Sequence, residues 1–435
     1  MNGATTQNAA DKPHQPRRDV MKVRTHQLVG GLFALALAAS TATGALAQEI
    51  KIGVLATLEG PFAAGGQDGM RGAELAVQAH KGMVAGKKIV LIKASSDASP
   101  DKAVASTRKL VEQDKVDIMV GPLSGSEGIA VKDYSKSQPN ITFINGSSGA
   151  QQTTLQNPSP NFFRFNTDGA QWMVGLGEYA FKKGYKKVAL IAEDYSFPYS
   201  QVHGFMVGYC KAGGRVVHKA WVPLGGKDYS SVIARLPKDV DALVVVLGGA
   251  DAVNFLTQYE QAGGDKPMVG GTITVDQTVL NFKGKRRDSL LGTPTAGPMA
   301  DSLDTPEWKK FVADYKANFK DGFPSPSLFA YLYYINMKAT LEGLEAVKGD
   351  LSDGQKKYRE ALAKLVLKGP AGEIRLDANR QAIGTTFITE VAKDPKGVFY
   401  NKVVASVPNV NQYLGMSKAD FEKMGLGSRD VPNCP

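Results

Sequence analysis

The chain has 435 residues and a formal charge of +10, with 43% hydrophobic and 22% charged residues. That length allows two or three ordinary domains, and the composition is that of a globular protein, which excludes a disordered chain and a membrane channel. Residues 1–47 carry +3 and the remainder +7, spread along the sequence, so the charge marks no nucleic-acid surface; the densest cluster, Lys283, Lys285, Arg286 and Arg287, reads as a solvated loop.

The first feature in chain order is an export signal. Leu28–Leu37 is apolar, follows Lys22 and Arg24, and leads to Ala45-Leu46-Ala47, an A-x-A cleavage pattern. The segment is shorter than the ~18 apolar residues of a spanning helix, and position 48 is Gln rather than Cys, so a soluble product without a lipid anchor is expected. Arg17-Arg18-Asp19-Val20-Met21-Lys22 resembles a twin-arginine motif, which leaves two routes open: twin-arginine export from Met1, or general secretion from Met21 with residues 1–20 a misplaced start.

From Ile50 onward strand-like and helix-like runs alternate. Strands are predicted at Ile50–Ala56, Lys88–Ala94, Val116–Gly121 and Ile141–Asn145, with helices at Gly69–His80, Asp101–Glu112 and Ser126–Ser137 between them. The series restarts after Phe165 with helix Gly169–Lys183, strand Lys187–Ala192, helix Ser200–Ala212, strands Arg215–Trp221 and Ala242–Leu247, and helix Asp251–Ala262. Phe282–Asp304 reads as a crossover. Helices Thr305–Phe319, Ser327–Ala346 and Ser352–Leu365 follow, then short strands near Gly372–Leu376, Thr385–Val391 and Val398–Val404. This is an α/β chain with two similar parallel-sheet lobes.

Catalytic signatures are scarce. Beyond residue 47 the only histidines are His80, His203 and His218, and no HExxH, GxSxG or GxxxxGK[ST] pattern occurs. Gly175–Ala180 matches a GxGxxA string but falls inside a predicted helix, the wrong context for a dinucleotide. His80 and His218 read as structural, and His203 lies near a crevice loop. Cys210 and Cys434 form no CxxC pattern, which argues against a metal or dithiol site; in an oxidising compartment they either pair or stay apart, depending on their distance in the fold. No catalytic residue, metal or cofactor is expected.

Ligands of open parallel sheets bind beyond the carboxyl ends of the strands, where helix N-termini point free N–H groups into a crevice. After the third strand comes Gly121–Gly128, with Gly125 and Ser126 opening a helix; after the fourth comes Asn145–Ala150, with Ser147, Ser148 and Gly149. Both loops suit a carboxylate, although serine before glutamate is also a capping pattern. After Ala192 come Tyr195, Phe197 and Tyr199, three aromatics in five residues, suited to closing over a flat apolar solute or equally to core packing.

The ordered markers Ile52-Gly53-Val54, Gly60-Pro61, Gly72–Val77, Asp97, Pro100, Ala103, Val120-Gly121, Phe163-Arg164 and Asp228-Tyr229-Ser230 resemble the leucine/isoleucine/valine-binding protein family, type I periplasmic solute-binding proteins of ABC importers. The resemblance runs from about Ile50 to Val404. It implies two lobes joined by a three-stranded hinge, with crossings near Phe165–Gly169, Gly292–Ala300 and Asp377–Ala382. One lobe is then 48–166 plus 297–379 and the other 167–296 plus 380–412, with a tail at 413–435.

The family's carboxylate-binding serine corresponds to Ser126, and its second loop contact to Ser147, Ser148 and Gly149. The aromatic cap corresponds to Gly65, leaving Phe62 to supply apolar cover; the tyrosine of the opposite lobe corresponds to Phe197. The acidic residue that receives an ammonium group corresponds to Thr272, with Asp276 and Asp251 near in sequence. An unpaired buried ammonium is costly, so the expected solute is an aromatic or other hydrophobic carboxylic acid, with a branched-chain amino acid or amide as the alternative. The resemblance implies a periplasmic monomer that hands its solute to an inner-membrane ABC permease, with no nucleic-acid partner; the competing readings are an exported α/β enzyme and a sensory ligand-binding protein.

Overall fold

The computed structural model describes residues 48–282 and 288–434. The export segment 1–47 and the basic cluster of Lys283, Lys285, Arg286 and Arg287 lie outside the described residues.

Two parallel sheets form the cores of two lobes. The first runs Met83–Val84, Lys87–Ser96, Glu49–Thr57, Ile118–Val120, Thr142–Ile144, Phe162–Phe163, parallel except for the edge hairpin of the first two strands. Ile52 stands between Leu91 and Ile118, and Ile52, Val54, Ile118 and Val120 are fully buried. Strands covered by helices on both faces carry such runs of Ile and Val instead of alternating with polar residues. The second sheet runs Met268–Gly270, Ala242–Val246, Lys187–Glu193, Arg215–Val222, all parallel.

A third sheet is antiparallel. Ala382–Lys393 pairs with Pro294–Gly297, Phe399–Val410 and Gly372–Leu376, and Leu367–Gly369 closes the edge. The short strands expected near 385–391 and 398–404 are two twelve-residue strands, because their pairing carries an irregular register that lets the ladder bend and continue. The expected helix Gly169–Lys183 is two helices, Gly169–Trp172 and Leu176–Lys182, broken at Gly175, where φ is +85°. The GxGxxA string thus starts a half-buried helix that follows another helix, and not a strand-to-helix turn.

The helix Leu328–Ala346 is almost wholly buried and crosses Ala63–Ala79 at close range. A Cβ on Gly72 would stand 2.0 Å from the Ala330 carbonyl oxygen, so only glycine permits the approach.

Cys210 and Cys434 are bonded, their Cα atoms 5.2 Å apart, which resolves the alternative left open by sequence. The bond ties the C-terminal segment to the helix Ser196–Lys211. That segment also carries the helix Lys418–Met424, whose Phe421 stacks on the buried His203 with ring centroids 5.8 Å apart. His203 Nδ1 lies 2.8 Å from Gln151 Oε1, which also accepts from the Gly427 N–H at 3.3 Å.

Burial pulls the His203 pKa from 6.5 to about 4, keeping the imidazole neutral. The unfolded chain therefore binds the extra proton between these values, so this contribution to stability is complete above pH 6.5 and is lost as pH falls toward 4, about 3 kcal/mol in all. Urea unfolding of wild type and His203→Gln should show the wild type's stability relative to the variant falling by about 2 kcal/mol between pH 7.5 and 4.5; a difference independent of pH would refute the assignment.

Candidate functional site

Each parallel sheet reverses direction once, and the two reversals face each other. In the first sheet the chain leaves Glu49–Thr57 to one side and later returns to Ile118–Val120 on the other; in the second, Lys187–Glu193 is flanked by Arg215–Val222 and Ala242–Val246. A crevice opens at such a point because successive helices go to opposite faces of the sheet. Four helices begin at this crevice: Gly125–Ser135, Ser196–Lys211, Gly249–Gln261 and Leu328–Ala346. Helix N-termini of this kind suit a carboxylate where their N–H groups are not already answered by protein atoms.

The cavity between the lobes is lined by Phe62, Leu123, Ser124, Gly125, Ser147, Trp172, Tyr195, Phe197, Ile273, Leu328 and Phe329. Its rings form one cluster: Tyr195 stands 6.4 Å from both Phe62 and Phe197, Phe62 stands 6.4 Å from Phe329, and Trp172 meets Phe197 edge-on at 5.4 Å. With the lobes closed the cavity measures about 20 Å³, room for roughly one water. A ring-sized solute therefore enters only when the lobes part or these rings swing aside. A larger groove of about 540 Å³ lies beneath the C-terminal segment, away from both sheet edges.

Ser124, and not Ser126, caps the helix Gly125–Ser135: its Oγ accepts from the Glu127 N–H, and the Ser124 N–H donates to Glu127 Oε2 at 2.8 Å. Ser126 is thereby left to face the other lobe, its Oγ 3.1 Å from Ser196 Oγ. Gly125 and Gly149 admit Phe197, since a Cβ on either would stand 2.8 Å from that side chain. Ser147 lines the cavity, its Oγ donating to the Leu123 carbonyl at 3.2 Å.

Five expected residues fall outside the cavity lining: Ser126 and Gly149, which stand at its edge against Ser196 and Phe197, and Ser148, Tyr199 and Thr272. The Ser148 hydroxyl packs beneath the helix at Gly128 while the Ser148 carbonyl faces the hinge, accepting from Asn145 and Asn166. Tyr199 turns to the C-terminal segment, bonding Asp194 and Arg429 and meeting Trp221 edge-on at 4.9 Å; it sits one helical turn past Tyr195, on the opposite side from Phe197. Thr272 is locked to the hinge, donating to the Ala296 carbonyl at 2.5 Å and accepting from Gln201 Nε2 at 2.7 Å. Its neighbour Ile273 reaches the cavity instead.

Leu123 and Ser124 belong to the flagged loop Gly121–Gly128, whereas Trp172, Ile273, Leu328 and Phe329 were missed by sequence reasoning. Phe329 explains Gly65: a Cβ there would stand 2.6 Å from the Phe329 ring, which fills the space an aromatic at 65 would take. The usable signal was Ser327, a helix-start residue directly before Leu328-Phe329.

Buried carboxylates surround the crevice. Asp276, from the second lobe, accepts from the Leu328 N–H at 2.7 Å and the Thr278 N–H at 2.9 Å. Asp251 accepts from the Gly225 N–H at 2.7 Å, and Glu193 from the Gly248 N–H at 2.9 Å. Burial pushes Asp276 and Asp251 up to about 6 and Glu193 well above the usual carboxylate range. Among the described residues no group of three or more His, Cys, Asp or Glu is placed to hold a metal ion.

Comparison with known proteins agrees with this architecture. A family model described as periplasmic binding protein matches residues 49–396. The Leu/Ile/Val-binding protein homolog 6 of Brucella melitensis is 27% identical over 383 residues, covering 86% of this chain and 95% of its own length. An ABC transporter substrate-binding protein from Sphaerobacter thermophilus superposes with a TM-score of 0.75 at 28% identity, covering 84% of this chain and 99% of that one. A solute-binding protein of an ABC transporter from Rhodopseudomonas palustris, in complex with 3,4-dihydroxybenzoic acid, gives 0.77 at 26% identity over 84% and 98%.

The lobes meet backbone to backbone at Gly249: a Cβ there, where φ is +50°, would stand 2.2 Å from the Pro61 carbonyl oxygen. Gly249→Val should hold the lobes apart, raising the radius of gyration in small-angle scattering while circular dichroism stays unchanged. An unchanged scattering profile would show that this contact does not set closure.

Proposed function

This chain belongs to the periplasmic binding protein family, the substrate-binding proteins of ABC transporters and not enzymes, and we propose that it captures a small aromatic or hydrophobic carboxylic acid between its lobes and presents the closed form to an inner-membrane permease. The observation that carries this reading is the pairing of opposed surfaces at the crevice. Helix starts and the hydroxyls of Ser126 and Ser147 lie on the first lobe, and the rings of Tyr195 and Phe197 on the second. A carboxylate is held by the first surface and a flat apolar body by the second. Ser126, Gly125, Ser147, Gly149, Phe62, Tyr195 and Phe197 are the proposed contacts, joined by Trp172, Ile273 and Phe329.

Closure then works as a population shift. A solute touching both lobes favours the form in which Ser126 meets Ser196, and the permease reads that form. No bond in the solute is made or broken. Among the described residues no helix is long and apolar enough to cross a membrane, and export through the segment before residue 48 completes the reading. The 3,4-dihydroxybenzoic acid bound by the Rhodopseudomonas protein supports the aromatic solute class.

A thermal-shift screen of benzoate, 3,4-dihydroxybenzoate and leucine tests the class. Ligand at a hundredfold its Kd should stabilise the protein by about 2.7 kcal/mol, and Ser126→Ala should weaken binding roughly tenfold, the effect of about one hydrogen bond to a charged group. Stabilisation by leucine and by no aromatic acid would overturn the solute class.

A further inference from the structure

Beside the aromatic cluster, on the second lobe, lies a group of polar side chains that solute capture by the first lobe does not use. Glu193 ends the central strand Lys187–Glu193 of that sheet, at its reversal point, and is fully buried. One carboxyl oxygen, Oε1, accepts from the Gly248 N–H; the other, Oε2, makes no hydrogen bond of good geometry among the described residues, with the Tyr195 side chain acting on the carboxyl from the cavity wall. Tyr229, 1% exposed, likewise leaves its hydroxyl without a partner. Asp251, 1% exposed, belongs to the same group, and the charges of both Glu193 and Asp251 act on Tyr229 and Tyr195.

The group stands next to the cavity wall. Gly248, which holds the Glu193 carboxyl, brings no side chain of its own: a Cβ there would stand 2.7 Å from Ile273 and 2.9 Å from Phe62, two residues that line the cavity. Tyr195, two residues beyond Glu193, lines it as well. A buried carboxyl oxygen without a donor costs free energy, and in a native protein it calls for an explanation, of which a donor supplied by a bound molecule is one. The first lobe offers helix N–H groups and hydroxyls to one end of a solute; the second offers an acceptor to the other.

We propose that Glu193 is a specificity-determining residue that receives an O–H or N–H donor at the end of the solute opposite its carboxylate, so that the preferred ligands are hydroxyl- or ammonium-bearing aromatic acids. This rests on the aromatic-carboxylate reading above. The solute then spans the crevice with opposite polarities at its ends, and the unsubstituted acid leaves the Glu193 oxygen unanswered. Sites built to hydrogen-bond a donor reject analogues lacking it far more strongly than apolar pockets reject a change of size.

Calorimetric titration of the mature protein with benzoate, 4-methylbenzoate, 4-hydroxybenzoate and 4-(aminomethyl)benzoate tests the proposal. At least one donor-bearing acid should bind tenfold or more tighter than benzoate, the last two probes separating hydroxyl from ammonium, and 4-methylbenzoate should gain nothing. In Glu193→Gln that preference should fall below threefold while benzoate affinity stays within threefold. Should this variant fail to fold, the wild-type series decides alone. Equal binding of benzoate and both donor-bearing acids, or a preference that survives in folded Glu193→Gln, overturns the role of Glu193 and leaves the aromatic-acid reading standing. If no aromatic acid binds, that reading fails and this one falls with it.

Discussion

A helix that starts away from water must have its free N–H groups answered by protein atoms, and the start of Leu328–Ala346 is answered from both lobes at once. Asp68 of the first lobe accepts from the Ser327 N–H at 3.0 Å, Asp276 of the second accepts from the Leu328 N–H at 2.7 Å, and Ser327 caps Ala330. Asp68 is itself fixed by Arg71 and the Tyr315 hydroxyl. Leu328 and Phe329, which follow directly, are thereby held at the cavity wall. The same bonds that satisfy the helix also draw the lobes together, so the shape of the crevice and the closed arrangement depend on one set of hydrogen bonds.

The hinge is tied to the crevice by a second network. Arg164, fully buried where the chain leaves the first lobe, donates to the Ala150 carbonyl at 2.7 Å and the Thr154 hydroxyl at 2.9 Å, and its Nε bonds Gln381 of the returning strand. Burial lowers its pKa to about 10, with Asp168 at 3.7 Å opposing the shift, so the guanidinium stays charged at neutral pH. An uncompensated buried cation is unfavourable; one surrounded by carbonyls and a carboxylate is held in place. Through it the loop Asn145–Ala150, which carries Ser147 and Gly149, takes its position from the hinge.

Much of this was legible in the sequence, for physical reasons that also mark its limits. Buried parallel strands such as Ala242–Val246 announce themselves as unbroken apolar runs, and the loops after them follow from the polarity of the sheet. Two-residue and three-residue strands such as Phe162–Phe163 and Met268–Gly270 carry too little pattern to stand out. Within the loop after Lys187–Glu193, sequence places Tyr195, Phe197 and Tyr199 together, but a helix beginning at Ser196 turns Tyr199 away while keeping Phe197 in the crevice. Phe329 escaped notice because an aromatic on a long apolar helix looks like core until the other lobe is known to end there. Glu193 lay in plain view beside Asp194, yet only the fold distinguishes the carboxylate that is buried from the one that pairs with Arg429.

The bond between Cys210 and Cys434 joins residues 224 positions apart. The C-terminal segment lies across the helix Ser196–Lys211, seated by Phe421 on His203 and fastened covalently at Cys434. Two cysteines bond only when their Cα atoms come within about 7 Å, so the cross-link acts as a rivet on an arrangement that other contacts bring together.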